Sequence, residues 1–169
     1  MNGQRRILGV DPGSRATGYG IIDATARRLR YVTSGRIRTA QGPFPERLAD
    51  IYRGMAAVLE EFAPDEFAIE EVFVAGNPQS AIKLGQARGV AIASAVAAGV
   101  EVSEYAARRI KQAVVGTGAA DKQQVQHMVQ VLLALDGPPA EDAADALAVA
   151  ICHANSTAGI AASMTDSRL

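Results

Sequence analysis

The 169-residue chain predicts an α/β domain on a five-stranded mixed sheet, three antiparallel strands and then parallel ones, with helices on both faces. Three observations predict it. Residues 5–38 hold three short apolar runs separated by turn-length breaks. From Glu46 the apolar spacing changes to three and four, the period of a helix. Beyond Phe62, strand-like and helix-like runs alternate, as in parallel crossover units.

Strands are expected at about 5–11, 17–23 and 29–38, with turns at Pro12-Gly13-Ser14 and around Asp23-Ala24-Thr25. Breaks this short join antiparallel neighbours. Leu48, Ile51, Tyr52, Met55, Val58, Leu59 and Phe62 line one face of a helix over 46–62, which Pro64 ends. A fourth strand is expected at 67–72, then the loop Ala75-Gly76-Asn77-Pro78 opening a helix to about residue 98, then a fifth strand at 100–105. Helices follow at about 106–115, 121–135 and 141–154, broken by Gly116-Thr117-Gly118 and Asp136-Gly137-Pro138-Pro139. Residues 1–155 read as one domain and 156–169, small and polar, as a flexible tail. With the first and fourth strands parallel neighbours, Asp11 and Glu70 stand at adjacent carboxyl ends, where open sheets of this kind place their sites.

Composition narrows the class. The 49% hydrophobic content rests on Ala, Val, Ile and Leu, with no Trp, which suits helices packed closely on a sheet. Lys83, Gln86 and Arg88 interrupt the best candidate for a membrane span, and the N-terminal residues carry no signal-peptide core, so a cytoplasmic protein is expected. The single Cys152 sits in an apolar stretch and reads as a packed thiol. Net charge is −1, yet residues 1–38 and 72–122 carry +6 and +3 while 39–71 and 123–169 carry −6 and −4. A basic surface around an acidic centre suits a metal-dependent enzyme acting on a polyanion.

The acidic centre consists of Asp11, Glu70, Asp142 and Asp145, each placed where an apolar run begins or ends. Taken singly, three have ordinary roles, Asp11 as a turn acid, Glu70 as a solvated strand end and Asp142 as a helix-start charge, whereas Asp145 lies deeper in an otherwise apolar segment and is harder to dismiss. Spacing alone does not separate Glu70 from Glu71. Asp142 and Asp145, three apart, share one helix face, and Ala143, Ala144 and Ala146 let that helix approach a sheet closely. Four partly buried carboxylates are costly unless a cation compensates them. Oxygen donors suit Mg²⁺. Two such ions about 4 Å apart would activate a water and stabilise the leaving 3′ oxygen at phosphorus, with no protein nucleophile. His127 and His153 with one Cys show no zinc spacing, and neither a P-loop nor a dinucleotide fingerprint is present.

With these residues in view, the chain resembles the RuvC family of Holliday-junction resolvases, bacterial endonucleases with the ribonuclease-H-like fold. The resemblance covers about residues 6–154. It rests on Gly9-Val10-Asp11-Pro12-Gly13-Ser14-Arg15 with Thr17-Gly18-Tyr19-Gly20, on Ala68-Ile69-Glu70, on the run SAIKLGQARG from Ser80 to Gly89, on Glu104-Tyr105-Ala106-Ala107-Arg108, and on Asp142-Ala143-Ala144-Asp145-Ala146-Leu147-Ala148. The resemblance implies that Asp11, Glu70, Asp142 and Asp145 are the catalytic, metal-holding acids, with Mn²⁺ able to replace Mg²⁺. It implies symmetric paired nicking of a four-way DNA junction by a homodimer, with ligatable ends, and the RuvA–RuvB branch-migration complex as partner. Lys111 and Lys122 match basic positions near the scissile phosphate, and Phe73 an aromatic that stacks on a base. Read without the resemblance, Phe73 belongs in the core. Arg15, Lys83 and Arg88 are further candidates for phosphate contact. The helix over about 78–98, with Gly85, Gly89, Ala81, Ala93 and Ala97, is implied in the dimer interface, burial within one subunit being an equal reading.

Three other readings stand beside this one. The Asp11-Pro12-Gly13 turn with Gly18 and Gly20 is also similar to the first phosphate loop of actin-like ATPases and sugar kinases, although those need two such domains. An RNA-processing nuclease of the same fold leaves SAIKLGQARG unexplained. A junction-binding module with structural acids would bind without cutting.

Overall fold

Short apolar runs joined by hairpin-length turns make the first 38 residues a meander of β1 (Arg5–Asp11), β2 (Ala16–Ala24) and β3 (Leu29–Arg38). The computed structural model describes residues 3–74 and 76–166, with side chains through 158. Then follow α1 (Phe44–Phe62), β4 (Glu66–Glu70), α2 (Pro78–Ala97), β5 (Glu101–Tyr105), α3 (Ala107–Val115), α4 (Lys122–Leu132) and α5 (Glu141–Asp166). The sheet order is β3-β2-β1-β4-β5. β1 pairs antiparallel with β2 and parallel with β4, and β4 pairs parallel with β5, the expected mixed sheet.

Period-two alternation divides the sheet into two faces. Ile7, Ile22 and Ala68 pack with Ile110, Val125, Val129 and Leu147 beneath α3, α4 and α5. Leu8, Val10, Ile21, Phe67 and Ile69 pack with Met55, Leu59, Ala91 and Ala95 beneath α1 and α2. Cys152 is buried, as its apolar setting suggested. Local chemistry sets the helix ends. Asn77 accepts from the Gln79 amide at 2.9 Å before Pro78, and Asp121 and Gln124 form a reciprocal capping box on α4.

Some boundaries differ from expectation. β4 ends at Glu70 rather than 72. α4 stops at Leu132 rather than 135, and Ala134 beyond it takes a positive φ of 50°, which no helix accommodates. α5 runs to Asp166 rather than 154. Its backbone therefore continues through most of the expected tail at 156–169, of which 167–169 lie outside the described residues. Ser156 and Thr157 donate their hydroxyls to the carbonyls of Cys152 and His153 at 2.8 and 2.9 Å, bonds compatible with continued helix.

α5 lies against β1 and β2 along a groove of glycines. Gly9 and Gly20 are cross-strand partners, and Gly18 faces Asp11. A Cβ on Gly9 would lie 2.2 Å from the Ala146 carbonyl oxygen and 2.6 Å from the Ala150 nitrogen, and one on Gly18 would lie 2.3 Å from the Asp142 carbonyl oxygen. These obstacles are backbone, so no rotamer change relieves them. We expect Gly9→Ala to cost about 1–3 kcal/mol by overpacking, a melting temperature about 4–10 °C lower in thermal unfolding. An unchanged melting temperature would mean α5 is not seated this tightly.

Candidate active site

Strand direction and helix docking bring the acids together. Ile7, Gly9 and Asp11 alternate onto the α5 face of the sheet, and on parallel β4 so do Ala68 and Glu70. Glu71 falls on the other phase, and its amide donates to the Tyr105 carbonyl at 2.9 Å. The first turns of α5 supply Asp142 and Asp145. A cavity of about 300 Å³ is lined by Asp11, Glu70 and Asp145 with Lys111 of α3 and Lys122 at the start of α4. Asp142 lies outside this lining, with its carboxylate 3.3 Å from Arg36 Nη1.

The electrostatics follow from that crowding. Burial, then Asp145, Glu70 and Asp142, push the Asp11 carboxyl up to about 8 against the pull of Lys122. Burial and Asp145 raise Glu70, opposed in part by a hydrogen bond with Asp11 and by Lys111 and Lys122. Burial raises Asp145, with Lys122 opposing and Glu141 and Asp142 adding. Each of these carboxyls is pushed toward its neutral form chiefly by burial, with neighbouring acids adding to it. Lys122 moves the opposite way: its hydrogen bond to Glu141, then Asp145, holds its ammonium charged, with Nζ 3.9 Å from Asp145 Oδ2.

The remaining sequence candidates separate. Lys111 and Lys122 join the acids in the cavity wall. Phe73 stands 70% exposed in the loop after Glu70, so the core placement is wrong and a free ring is present. Arg15 is exposed and lines a different cavity with Thr39 and Arg47 beside the turn that follows Asp11. Lys83 places its ammonium 5.7 Å from the Phe44 ring centroid, on the α1 side of α2. Arg88 bonds within the protein to the Glu70 carbonyl and to Glu104. Sequence reasoning missed Arg36 and Glu141, the partners of Asp142 and Lys122. Arg36 is far away in sequence and carried no signal, whereas Glu141 beside Asp142 was readable as a first-turn helix acid. His153 is satisfied by Tyr105 and Glu66 at 2.7 and 2.6 Å, consistent with no zinc role.

The sequence model of the RuvC family, crossover junction endodeoxyribonuclease RuvC, matches residues 7–153. The chain belongs to the RuvC family. It is 61% identical over 149 residues to the crossover junction endodeoxyribonuclease RuvC of Marinobacter nauticus, covering 88% of this chain and 85% of that one. The RuvC of Photobacterium profundum is 64% identical over 149 residues, covering 88% and 86%. In structure the chain is similar to Thermus thermophilus RuvC in complex with Holliday junction substrate, at TM-score 0.86 and 34% identity over 92% of this chain and 96% of that one. The sheet and helices are thus the ribonuclease-H-like fold of the RuvC family.

Membership makes this chain a metal-dependent endonuclease, and Asp11, Glu70, Asp142 and Asp145 fit that requirement by their chemistry. All four offer oxygen donors, the set a hard divalent cation takes. Burial and neighbouring charge raise the Asp11, Glu70 and Asp145 carboxyls, and the lysines only partly offset this. Among the described residues no three acid, histidine or cysteine side chains form a ready-made metal group. Asp142 is held by Arg36, and Asp145 lies near Lys122, so cationic side chains occupy part of the role a metal would take.

The metal-free protein carries a measurable consequence. Asp11 has an ordinary value of 3.8 and about 8 in the fold. The folded state therefore binds the extra proton between those values, so stability falls as pH rises from about 4 to 8. We expect Asp11→Asn, measured with chelator, to raise the melting temperature by about 2–4 °C at pH 8. The gain should vanish below about pH 4. A lower melting temperature for the variant at pH 8 would show that the carboxylate is needed to hold the fold.

Proposed function

We propose that this chain resolves four-way DNA junctions by nicking two symmetry-related strands near the crossover. Asp11, Glu70, Asp142 and Asp145 hold two divalent cations, Mg²⁺ with Mn²⁺ as a substitute. The observation that carries this reading is the convergence of acids from β1, β4 and α5 on one cavity walled by Lys111 and Lys122. Cations bound there would supply an activated water for in-line attack at phosphorus and stabilise the leaving 3′ oxygen. Hydrolysis then leaves a 5′-phosphate and a 3′-hydroxyl, ends that a ligase can join.

The chain's own residues bind and orient. Lys111 and Lys122 draw the scissile phosphate against the acids, and Glu141 keeps Lys122 at the rim. Phe73 offers a free face for a base displaced at the crossover, where stacking is worth about 1–3 kcal/mol. Arg15 takes a backbone phosphate beside the β1–β2 turn, while Lys83 serves as a more distant positive charge on α2. The four-way junction is supported as substrate by the Thermus thermophilus RuvC solved with a Holliday junction.

A two-fold substrate suits a two-fold enzyme. α2 supports a homodimer: Ile82 is 62% exposed, and a Cβ added at Gly85 or Gly89 meets nothing within 4 Å. The small residues therefore leave space outside the subunit and are not filled from within it. In this reading RuvA with RuvB presents the junction in the cytoplasm. Among the described residues no helix is long and apolar enough to cross a membrane.

Two outcomes test the reading. Asp145→Asn should lower nicking of a synthetic four-way junction more than 100-fold in Mg²⁺, to the level seen with chelator. Its junction Kd should stay within about threefold, because phosphate contacts outside the acids carry the affinity. Comparable loss of binding would make the acids structural, and cutting of linear duplex or an RNA–DNA hybrid at equal rate would remove the junction assignment. Separately, Ile82→Asp should shift a dimer to monomer in analytical ultracentrifugation at micromolar concentration. A dimer of unchanged strength would place the interface elsewhere.

A further inference from the structure

Arg88 approaches the catalytic strand from the side of the sheet opposite α5. Its side chain is only 17% exposed. Nε donates to the Glu70 carbonyl oxygen at 2.9 Å, and Nη2 donates to the Glu104 carboxylate. Those two acceptors sit on neighbouring strands, where the β4–β5 register pairs Ile69 with Glu104. One guanidinium therefore bridges α2 and the carboxyl ends of β4 and β5.

The location matters because Glu70 ends its strand. The pairing of β1 with β4 stops at Ile69, and the loop with exposed Phe73 begins just beyond. The Glu71 amide still bonds the Tyr105 carbonyl, but the Glu70 carbonyl is taken by Arg88. Among the acids lining the cavity, Asp11 is paired across β2 with Gly18, and Asp145 is fixed by the docked helix. Glu70 pairs with Tyr105 on the β5 side, lies beyond the last β1–β4 pair and leads straight into a loop, so an anchor on its carbonyl steadies it. A planar fork with two donors in fixed relation supplies one, which a lysine ammonium does not reproduce.

We infer that Arg88 is a positioning residue for Glu70. It fixes the Glu70 peptide from behind the sheet so that the carboxylate meets the cavity at a set distance from Asp11 and Asp145, and it makes no phosphate contact. The same clamp ties the strand end to α2, so the outward face of α2 and the acid are rigidly linked. The inference rests on the reading of Glu70 as a metal-holding acid.

The test compares Arg88→Ala, Arg88→Lys, Glu104→Gln and Glu70→Gln in the full chain. For Arg88→Ala we expect single-turnover cleavage of bound junction to fall about 10–100-fold, with a higher Mg²⁺ concentration for half-maximal rate, the usual cost of losing a supporting partner. Arg88→Lys should recover part of the loss. Junction Kd and its salt dependence should stay as in the parent, and amide exchange of the peptide over 66–72 should quicken in metal-free protein. A phosphate contact instead predicts weaker binding, a salt slope reduced by about one and normal cleavage once bound, which would overturn the inference. Parent-like cleavage at every Mg²⁺ concentration would also overturn it. If Arg88→Ala does not fold, Glu104→Gln removes one of the two acceptors and should show a smaller loss in the same direction, its absence counting against the clamp. Glu70→Gln separates the two levels: an active variant removes the site reading itself, whereas an inactive one beside a normal Arg88→Ala removes only the clamp.

Discussion

The seating of α5 in the glycine groove of β1 and β2 is the constraint on which the rest of the structure depends. Backbone meets backbone there: with Gly9 and Gly18 the helix comes close enough that a single methyl would collide with the Ala146 and Asp142 carbonyls. The approach determines where the first turns of α5 end, and therefore where Asp142 and Asp145 stand relative to Asp11. An ordinary helix-on-sheet packing, spaced by side chains, would hold Asp145 further from the strand ends. Burial lifts the Asp11 carboxyl to about 8, and Asp145 is the foremost charge adding to that rise.

The fold was legible where local pattern and global topology agree. The short apolar runs and turn-length breaks of the first 38 residues, the three-and-four spacing of α1 and the punctuation by Pro64, Pro78 and Gly116 each act within a few residues, and the observed elements follow them closely. The acids were legible because each interrupts an apolar run. The misses have a different cause. The extension of α5 beyond 154 is written in small polar residues with no apolar period, and its hydroxyls are absorbed by the helix's own carbonyls. Arg36 with Asp142 and Arg88 with Glu70 and Glu104 are long-range pairings, which charge counting along a chain cannot see. Phe73 misled because an aromatic directly after a buried strand ordinarily packs inward; here β4 ends two residues earlier than its apolar run suggested.

Charge is divided between the faces of the sheet in a way that serves the site. On the α5 face, acids crowd and the lysines lie at the wall, giving a centre that repels itself and attracts both cations and phosphate. Lys122 illustrates the balance. Glu141 binds it more closely than Asp145 does, so its ammonium stays charged and near the acids without neutralising any one of them. Arg36 treats Asp142 similarly from β3, at the 3.3 Å of an exposed pair of modest strength.

On the opposite face, the demands are mechanical. Arg88 grips the end of β4 through a backbone carbonyl, so the anchor does not compete with the Glu70 carboxylate for ligands. α2 carries that arginine on its inner side and an open, small-residue apolar strip on its outer side. A neighbour docked on the strip would bear on the helix that holds the strand end, and through it on Glu70. The loop carrying Phe73 spans the interval between that acid and the start of the same helix. A strand end, an exposed ring and a helix with an unpartnered face thus share one short stretch of chain, so the spacing between chemistry and any two-fold contact is set by covalent connectivity rather than by weak surface packing.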